Sequence, residues 1–510
     1  MRRQDLFCVF LTSVGLILSF PPFPTGLIVT VVLVPFFFYL RGKNFWEAFR
    51  GGYTVGLIWA GGTVYWIAWA TGIGFLGVLL ILPLYFAFFA VFQAWLLKRW
   101  GETSFVVAPF LWTGVEIISS WGTLGFPWNS LAYTQTYYPP LIQYASITGA
   151  YGVTFWVVLL NVLFYFLLIN LKSWRRCFIP LGGIVFLGVL AWGHGRWALS
   201  SGSKSEEKVT LALVQGNIDP YKKWTPSFID SNFVVYRRLT RIAQREKPDM
   251  IIWPETATPC YLRYRYSYLK RVKSQVDSLG IPLLTGSPDY EWDNQRSVRR
   301  YNGALLIYPN SWRIDRYYKM HLVPFSERVP FVETIPFLHD LAQKMDLDIG
   351  DFSPGDSIVV FAFTPSSMQR EIRFSVVICY ESVFPYLVRR FIKRGAQFLV
   401  VITNDGWFGR TSGPYQHAQI AIFRAIENRV WVARCANTGI SEFIDPFGRI
   451  QARTGVYEEA VLTGSVALGG GNTFFVRHGS FFAIFILVID GLLLLVTLVL
   501  ELKSLLQAAS

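Results

Sequence analysis

The chain has 510 residues, of which 53% are hydrophobic, 17% aromatic and only 16% charged. A charged fraction this far below the roughly 25% of soluble domains excludes a wholly water-soluble protein. Much of the net charge of +14 lies in short loops between apolar runs or in basic pairs suited to anionic lipid headgroups, so we expect membrane lipid rather than nucleic acid as the partner of these charges.

Long uncharged runs occupy the first 200 residues and the last 30, whereas most carboxylates lie between them. These runs predict eight membrane spans, at residues 6–20, 26–40, 53–72, 75–97, 105–120, 153–171, 178–192 and 481–500. The first span begins with two arginines like a signal peptide, but no cleavage site follows it, so we interpret it as an uncleaved anchor. Glu116 and Asp490 lie inside spans and are expected to face the bundle interior or a wet cavity.

Lysine and arginine occur in alternate connections between these spans. Because positive charge stays on the cytoplasmic side, both termini are predicted to be cytoplasmic and the middle of the chain to be outside. The predicted organisation is a seven-helix transmembrane region at residues 1–200, an extracytoplasmic domain at 205–467 and a C-terminal transmembrane helix at 480–502.

The middle domain alternates strand and helix patterns. Apolar runs such as VTLALVQGNI, DMIIW, IPLLTG, FSVVICY, QFLVVITN, VWVARCAN and SEFIDPFGRI predict strands, and ALLIYPNSWRIDRYYKM predicts a hairpin. Helices are predicted at 228–246, 268–279, 383–394 and 416–427. This alternation indicates a layered α/β sandwich.

Several kinds of site are absent from the sequence. No HExxH motif, cysteine pair with metal-ligand spacing or GxxxxGK[ST] loop occurs, so neither a metal site nor a phosphate loop is predicted. Five cysteines divided between membrane and domain do not form a disulfide scaffold, although a Cys260–Cys435 pair stays open.

Three polar residues each follow a predicted strand: Glu255 in IIWPETATP, Lys319 in YYKMHLVPF and Cys379 in VVICYESVFP. In open α/β sheets, catalytic groups gather beyond the carboxyl ends of strands. Each residue also has a simpler interpretation: a solvated loop acid, a surface cation and a small buried hydrophobe. The spacing alone leaves both interpretations open.

These three segments, in this order, resemble the Glu-Lys-Cys triad of the nitrilase, or carbon-nitrogen hydrolase, superfamily. TNDGWFG, the helix with His417, Arg424 and Asn428, and RCANTGIS resemble the same superfamily. With seven apolar spans before the domain, GFPW in an outer loop, KW after VQGNI and one span after the domain, the whole chain resembles the apolipoprotein N-acyltransferase family. The resemblance implies a nitrilase-like αββα domain carried by transmembrane helices in the bacterial inner membrane, with its catalytic side in the periplasm.

The resemblance also implies a reaction: a phospholipid donates a fatty acyl chain to the N-terminal amine of a diacylated apolipoprotein, through a thioester on Cys379 and without a cofactor. A thiol is mostly protonated at neutral pH and needs a base, here Glu255. Lys319 and the backbone N–H of Tyr380 would stabilise the oxyanion, and Glu327 resembles the family's second glutamate.

Glu381 is a supporting candidate, and Trp224 and Trp407 are candidates for gating the pocket or for packing. Nothing in the chain demands more than a monomer. Two alternatives stay open: a membrane-tethered amidohydrolase that uses water as acceptor, and a non-catalytic lipid-binding or transport protein.

Overall fold

The computed structural model describes residues 2–202, 207–293, 296–331 and 351–509; residue 205, the predicted start of the middle domain, lies outside these ranges. The chain forms two compact units. The first consists of Met1–Tyr65, Phe75–Ser200 and His478–Ser510, and the second of Trp66–Gly74 and Ser201–Arg477. A nine-residue segment from the N-terminal half is therefore part of the second unit.

The first unit is helical. Its main helices are Arg3–Ser19, Val29–Val32, Val34–Leu40, Phe45–Thr63, Gly72–Trp100, Ala108–Ser119, Ala150–Ile169, Trp174–Ser200 and Phe481–Ala509. By length and composition, four described stretches can cross a membrane: Gly72–Ser119, Ala150–Ile169, Trp174–Ser200 and Phe481–Lys503. Each of the eight predicted spans overlaps one or two of the nine main helices given above.

The third predicted span differs most from the structure. A capping box, in which Asn44 and Glu47 exchange side chain–backbone hydrogen bonds of 3.0 Å, starts this helix at Phe45 rather than at residue 53. The helix ends at Thr63, and the next helical piece of the unit begins at Gly72. The early end leaves residues 64–71 between these two long helices.

Glu116 lies inside the first unit and is fully hydrogen-bonded. Its carboxylate accepts from Trp112 Nε1 at 2.9 Å, Leu131 N at 2.9 Å, and the hydroxyls of Ser130 and Thr154 at 2.7 Å each. A buried carboxylate with four donors ties a helix to the loop and helix beside it. This agrees with the prediction that Glu116 faces the bundle interior.

The second unit contains two six-stranded mixed sheets that face each other. Their strands are β1 (Lys208–Gln215), β2 (Met250–Ile252), β3 (Leu283–Trp292), β4 (Val298–Ile307), β5 (Ile314–Tyr318), β6 (Phe361–Phe363), β7 (Ile372–Ile378), β8 (Phe398–Thr403), β9 (Trp431–Ala436), β10 (Glu442–Ile444), β11 (Ile450–Arg453) and β12 (Ala460–Ala467). The first sheet has the order β12-β1-β2-β3-β4-β5 and the second β11-β10-β9-β8-β7-β6. Strands β1, β2 and β3 run parallel, as do β7, β8 and β9.

Helices Pro226–Ala243 and Tyr266–Leu279 pack on the first sheet through apolar residues such as Phe233 and Val272. Helices Pro385–Lys393 and Gly413–Asn428 pack on the second. The predicted α/β class with two sheets is confirmed. In SEFIDPFGRI, however, a turn at Asp445–Gly448 separates β10 from β11, because Asp445 accepts from the amides of Phe447 and Arg449.

Candidate active site

Glu255 occupies a tight turn after β2. It is 6% exposed, and Thr256 after it has a φ of +49°, a left-handed conformation that a β-branched residue rarely adopts. Glu255 accepts from Asn302 Nδ2 at 2.8 Å through Oε1 and from the Asn404 amide at 2.9 Å through Oε2. The carboxylate is therefore held by groups from both sheets.

Lys319 directly follows β5 and is 1% exposed. Its ammonium nitrogen lies 2.9 Å from Glu327 Oε1 and 3.5 Å from Glu255 Oε1. Burial lowers the pKa of Lys319, but Glu327 and then Glu255 outweigh burial and leave this pKa above its ordinary value. Lys319 is therefore a permanent cation between two carboxylates.

Asn302 completes this group, and the sequence interpretation missed it. Its Nδ2 donates to Glu255 Oε1 at 2.8 Å and to Glu327 Oε1 at 2.9 Å, so one amide group joins the two acids. Its backbone carbonyl accepts from the Lys319 amide at 2.9 Å. The sequence contained one signal for Asn302: it is a polar residue directly before the apolar run GALLI of β4.

Cys379 begins the turn after β7, which ends one residue earlier at Ile378. The strand predicted at FSVVICY thus ends two residues earlier than expected, because Cys379 has a φ of +52° and cannot continue the strand. A non-glycine residue in this conformation stores roughly 1–3 kcal/mol, and such strain is frequent at active sites. Burial and then Glu255 raise the pKa of the thiol, while Lys319 opposes them. The resting group is therefore a neutral thiol.

Glu381 connects the turn at Cys379 to the loop at Lys319. Its Oε2 accepts from the Ile378 amide at 2.8 Å, and its Oε1 accepts from the Met320 amide at 2.7 Å and from the Tyr317 hydroxyl at 2.6 Å. The Glu381 side chain is completely buried. Glu381 therefore positions Cys379 and Lys319 indirectly, by holding the backbone amides next to them.

A second buried network lies behind Cys379. Arg434 Nη2 contacts Asp405 Oδ2 at 2.8 Å, and Asp405 Oδ1 contacts His417 Nδ1 at 2.8 Å. His417 Nε2 then lies 2.9 Å from Ser382 Oγ and 3.2 Å from the Cys379 carbonyl oxygen. Despite burial, Arg434 and His417 hold the pKa of Asp405 below its usual range. The sequence marked His417 only by family resemblance, and Asp405 and Arg434 were not singled out.

Three other predicted residues occupy loops next to this group. The Tyr380 ring is buried and packs edge-on against Phe384, with centroids 5.0 Å apart. Trp407 stacks edge-on with Tyr221 at 5.1 Å, three residues beyond Asn404. Trp224 is 41% exposed. Cys260 and Cys435 are free thiols.

The structure therefore brings Glu255, Lys319, Cys379, Glu327 and Glu381 into one buried cluster. Within it are a neutral thiol, a buried carboxylate coupled to it electrostatically and a fixed cation. Such a set suits nucleophilic attack of sulfur on a carbonyl carbon, with a base for the thiol proton and positive charge for the oxyanion.

Comparison with known proteins finds matches to both parts of the chain. Residues 12–163 match the family model described as Apolipoprotein N-acyltransferase N-terminal domain, and residues 210–472 match the model described as Carbon-nitrogen hydrolase. The solved structure of Saccharomyces cerevisiae Nit3, of the nitrilase superfamily, aligns with a TM-score of 0.39 and 20% identity over 52% of this chain and 92% of that chain.

Two full-length relatives are apolipoprotein N-acyltransferases. That of Geobacter metallireducens is 37% identical over 94% of this chain and 93% of its own length. That of Chlorobaculum tepidum is 34% identical over 98% of this chain and 97% of its own length. The chain belongs to the apolipoprotein N-acyltransferase family and is a membrane N-acyltransferase of lipoprotein maturation.

Proposed function

We propose that the acyl group passes through a thioester on Cys379. Glu255 takes the thiol proton as sulfur bonds to the acyl carbon of a phospholipid ester. The acyl carbon–oxygen bond then breaks, and the departing glycerol oxygen receives the proton back from Glu255 as lysophospholipid leaves. The observation that carries this proposal is the buried thiol of Cys379, whose pKa is raised by burial and Glu255 and lowered by Lys319. A neutral thiol of this kind requires a base before it can attack.

The negative oxygen of the tetrahedral intermediate needs preorganised donors. We assign this role to the Lys319 ammonium group and the backbone N–H of Tyr380. Glu327 keeps Lys319 charged and aimed through its 2.9 Å contact. Glu381 supports the backbone next to Lys319, at Met320, and next to Cys379, at Ile378. These groups act on charge that is largest in the transition state.

In the second half-reaction, the acceptor is the N-terminal α-amine of a diacylated apolipoprotein. The amine nitrogen bonds to the acyl carbon, the carbon–sulfur bond breaks, and the ammonium proton leaves through Glu255 to the Cys379 sulfur. The scheme is ping-pong and requires no cofactor. Trp224 and Trp407 are the candidate contacts for the substrates, since both stand on loops next to the Glu255 turn.

For the whole chain we propose a bacterial inner-membrane monomer with seven N-terminal crossings and one C-terminal crossing. Alternating loop charge supports cytoplasmic termini and a periplasmic catalytic domain at 205–467. A cysteine-labelling experiment on intact cells with an impermeant reagent tests this. Single reporter cysteines in the connection at 121–149 should react, and those in the connection at 98–104 should not.

The experiment for the acyl transfer offers the purified protein a phospholipid and one of two matched diacylated peptides, with a free or an acetylated α-amine. The peptide with the free amine should be converted to an N-acyl peptide. With the acetylated peptide, no N-acyl product should form and fatty acid should be released from the phospholipid only slowly. If fatty acid is released equally fast with either peptide and no amide forms, the amidohydrolase interpretation replaces this one.

A further inference from the structure

Lys223 is a buried lysine that the reaction scheme above does not use. It is 2% exposed, whereas lysines are almost never fully buried unless they are paired. Its ammonium group donates to the Thr256 side-chain hydroxyl and, at 3.3 Å, to the Thr256 carbonyl oxygen. The partner of this lysine is therefore the residue directly after Glu255.

Thr256 is the residue with the left-handed φ of +49°. Both hydrogen bonds from Lys223 go to this residue, so they stabilise a backbone conformation that costs free energy. The turn sets the direction of the Glu255 side chain. Lys223 is therefore connected to the proposed base through a single strained residue.

The charges around Glu255 give Lys223 a second effect. Glu255 and Glu327 share the cation Lys319 and the amide of Asn302, which leaves two acids with one cation. Two carboxylates held close together repel each other. Lys223 supplies a second positive charge, and Glu255 is the charged group that acts on it electrostatically.

Lys223 also contacts uncharged groups. Its ammonium lies 5.3 Å from the centre of the Trp224 ring, and its backbone bonds to Asp219 O and Asn232 Nδ2. Burial lowers the pKa of Lys223 to about 7, against the opposing effect of Glu255. The ammonium form is thus costly for the folded protein, and the cost is fully present below about pH 7.

We propose that Lys223 is a positioning residue for the acylation half-reaction: it holds the Thr256 turn and balances the charge of Glu255, so that this carboxylate is aimed at the thiol when it takes its proton. The inference rests on the proposed role of Glu255 as the base. A lysine kept only for stability would instead be expected to lose stability and activity together when it is replaced.

The test compares Lys223→Met with the matched control Lys222→Met, which removes the neighbouring exposed lysine, and with Glu255→Gln. In the full-length protein we would measure the rate of acyl-enzyme formation from phospholipid between pH 6 and 8.5, together with the thermal midpoint. Lys223→Met should slow acylation at least tenfold at pH 6. Its thermal midpoint should equal or exceed that of the wild type, because the buried charge is removed.

The pH dependence separates charge from packing. As the pH rises through about 7, Lys223 loses its proton in the wild type, so the ratio of wild-type to Lys223→Met rates should fall. The same ratio for Lys222→Met should stay near one. A Lys223→Met variant with the wild-type rate, or with a ratio independent of pH, would overturn the inference.

Two further outcomes are informative. If Lys223→Met unfolds at a lower temperature in proportion to its lost activity, the residue is structural and the inference is wrong. Thr256→Val removes only the hydroxyl that accepts from Lys223, and it is measured in the same way. Under the proposal this variant folds and forms the acyl-enzyme more slowly than the wild type. If Glu255→Gln keeps the wild-type rate, it is the proposed base that fails.

Discussion

The carboxylate of Glu381 accepts a hydrogen bond of 2.7 Å from the backbone amide of Met320. Glu381 follows Cys379 by two residues, and Met320 follows Lys319 by one. The nucleophile turn and the cation loop are therefore joined by one buried side chain. This side chain holds the two segments next to each other.

Replacing Glu381 by glutamine should separate the two segments. The amide cannot accept from all of the Ile378, Met320 and Tyr317 donors with the strength of a carboxylate, and a lost buried hydrogen bond to a charged group costs roughly 1.5–3 kcal/mol. We expect a lower free energy of unfolding and at least a hundredfold slower acylation. Denaturant unfolding and acyl-enzyme formation measure the two effects. As a matched control, Tyr317→Phe removes one donor and should have a smaller effect on both.

Removing Lys319 should leave two buried carboxylates without their shared cation. For Lys319→Met we expect a loss of about 3–5 kcal/mol of stability and no detectable acylation. The double variant Lys319→Met/Glu327→Gln should recover part of the stability but none of the activity. Thermal unfolding and turnover of both variants check this, and recovered activity in the double variant would contradict the role of Lys319 as oxyanion donor.

The electrostatics of Cys379 predict its chemical reactivity. Because burial and Glu255 raise the pKa of the thiol and Lys319 lowers it, alkylation by a small neutral reagent should be slow at pH 7 and should keep accelerating as the pH rises past the ordinary thiol pKa of about 8.5. Lys319→Met should make alkylation slower still at each pH, since the thiolate loses its nearest cation. The rate of modification of the Cys379 peptide gives the result, and alkylation of this peptide that is fast and independent of pH would show a preformed thiolate.

Much of this arrangement could be predicted from the sequence, because the apolar runs of β1, β7 and β8 and the polar residues after β2, β5 and β7 are local patterns. The contacts of Asn302, and the bonds of Asp405 with His417 and Arg434, join residues 12 to 47 positions apart, and no local period encodes them. The bounds of the third helix depended on a capping box, which a hydropathy pattern does not contain.

Residues 66–72 were predicted to be part of the third membrane span, yet the segment Trp66–Gly74 belongs to the second unit. Trp66 is 3% exposed and donates through Nε1 to Gln416 Oε1 at 3.0 Å, next to His417. Thr71 donates to the Phe325 carbonyl at 3.0 Å, in the loop between Lys319 and Glu327. This segment thus contacts the helix that carries His417 and the loop between Lys319 and Glu327.

We therefore expect Thr71→Val to reduce kcat about three- to tenfold, because the lost hydrogen bond of roughly 1 kcal/mol holds a loop in which Phe325 has a φ of +60°. Steady-state transfer kinetics check the prediction. The matched control is Thr54→Val, which removes a hydroxyl that donates to the Arg50 carbonyl of its own helix, and it should leave kcat unchanged.

The His417 network should maintain the strained turn at Cys379. His417→Gln removes the contact between Asp405 and the Cys379 carbonyl, and we expect slower acylation with a smaller change in KM. Ser382→Ala, which removes one further bond to the same carbonyl, should act in the same direction but more weakly. Equal kcat values in the wild type, His417→Gln and Ser382→Ala would show that the turn at Cys379 does not need this network.

The central claim is that Cys379 carries the acyl chain. The most direct measurement incubates the purified protein with one phospholipid of known acyl composition, without acceptor, and determines the mass of the Cys379 peptide. We predict an increase equal to one acyl group, which hydroxylamine removes and which is absent from Cys379→Ala. An unmodified Cys379 peptide in a preparation that still transfers acyl chains to a diacylated peptide would contradict the account.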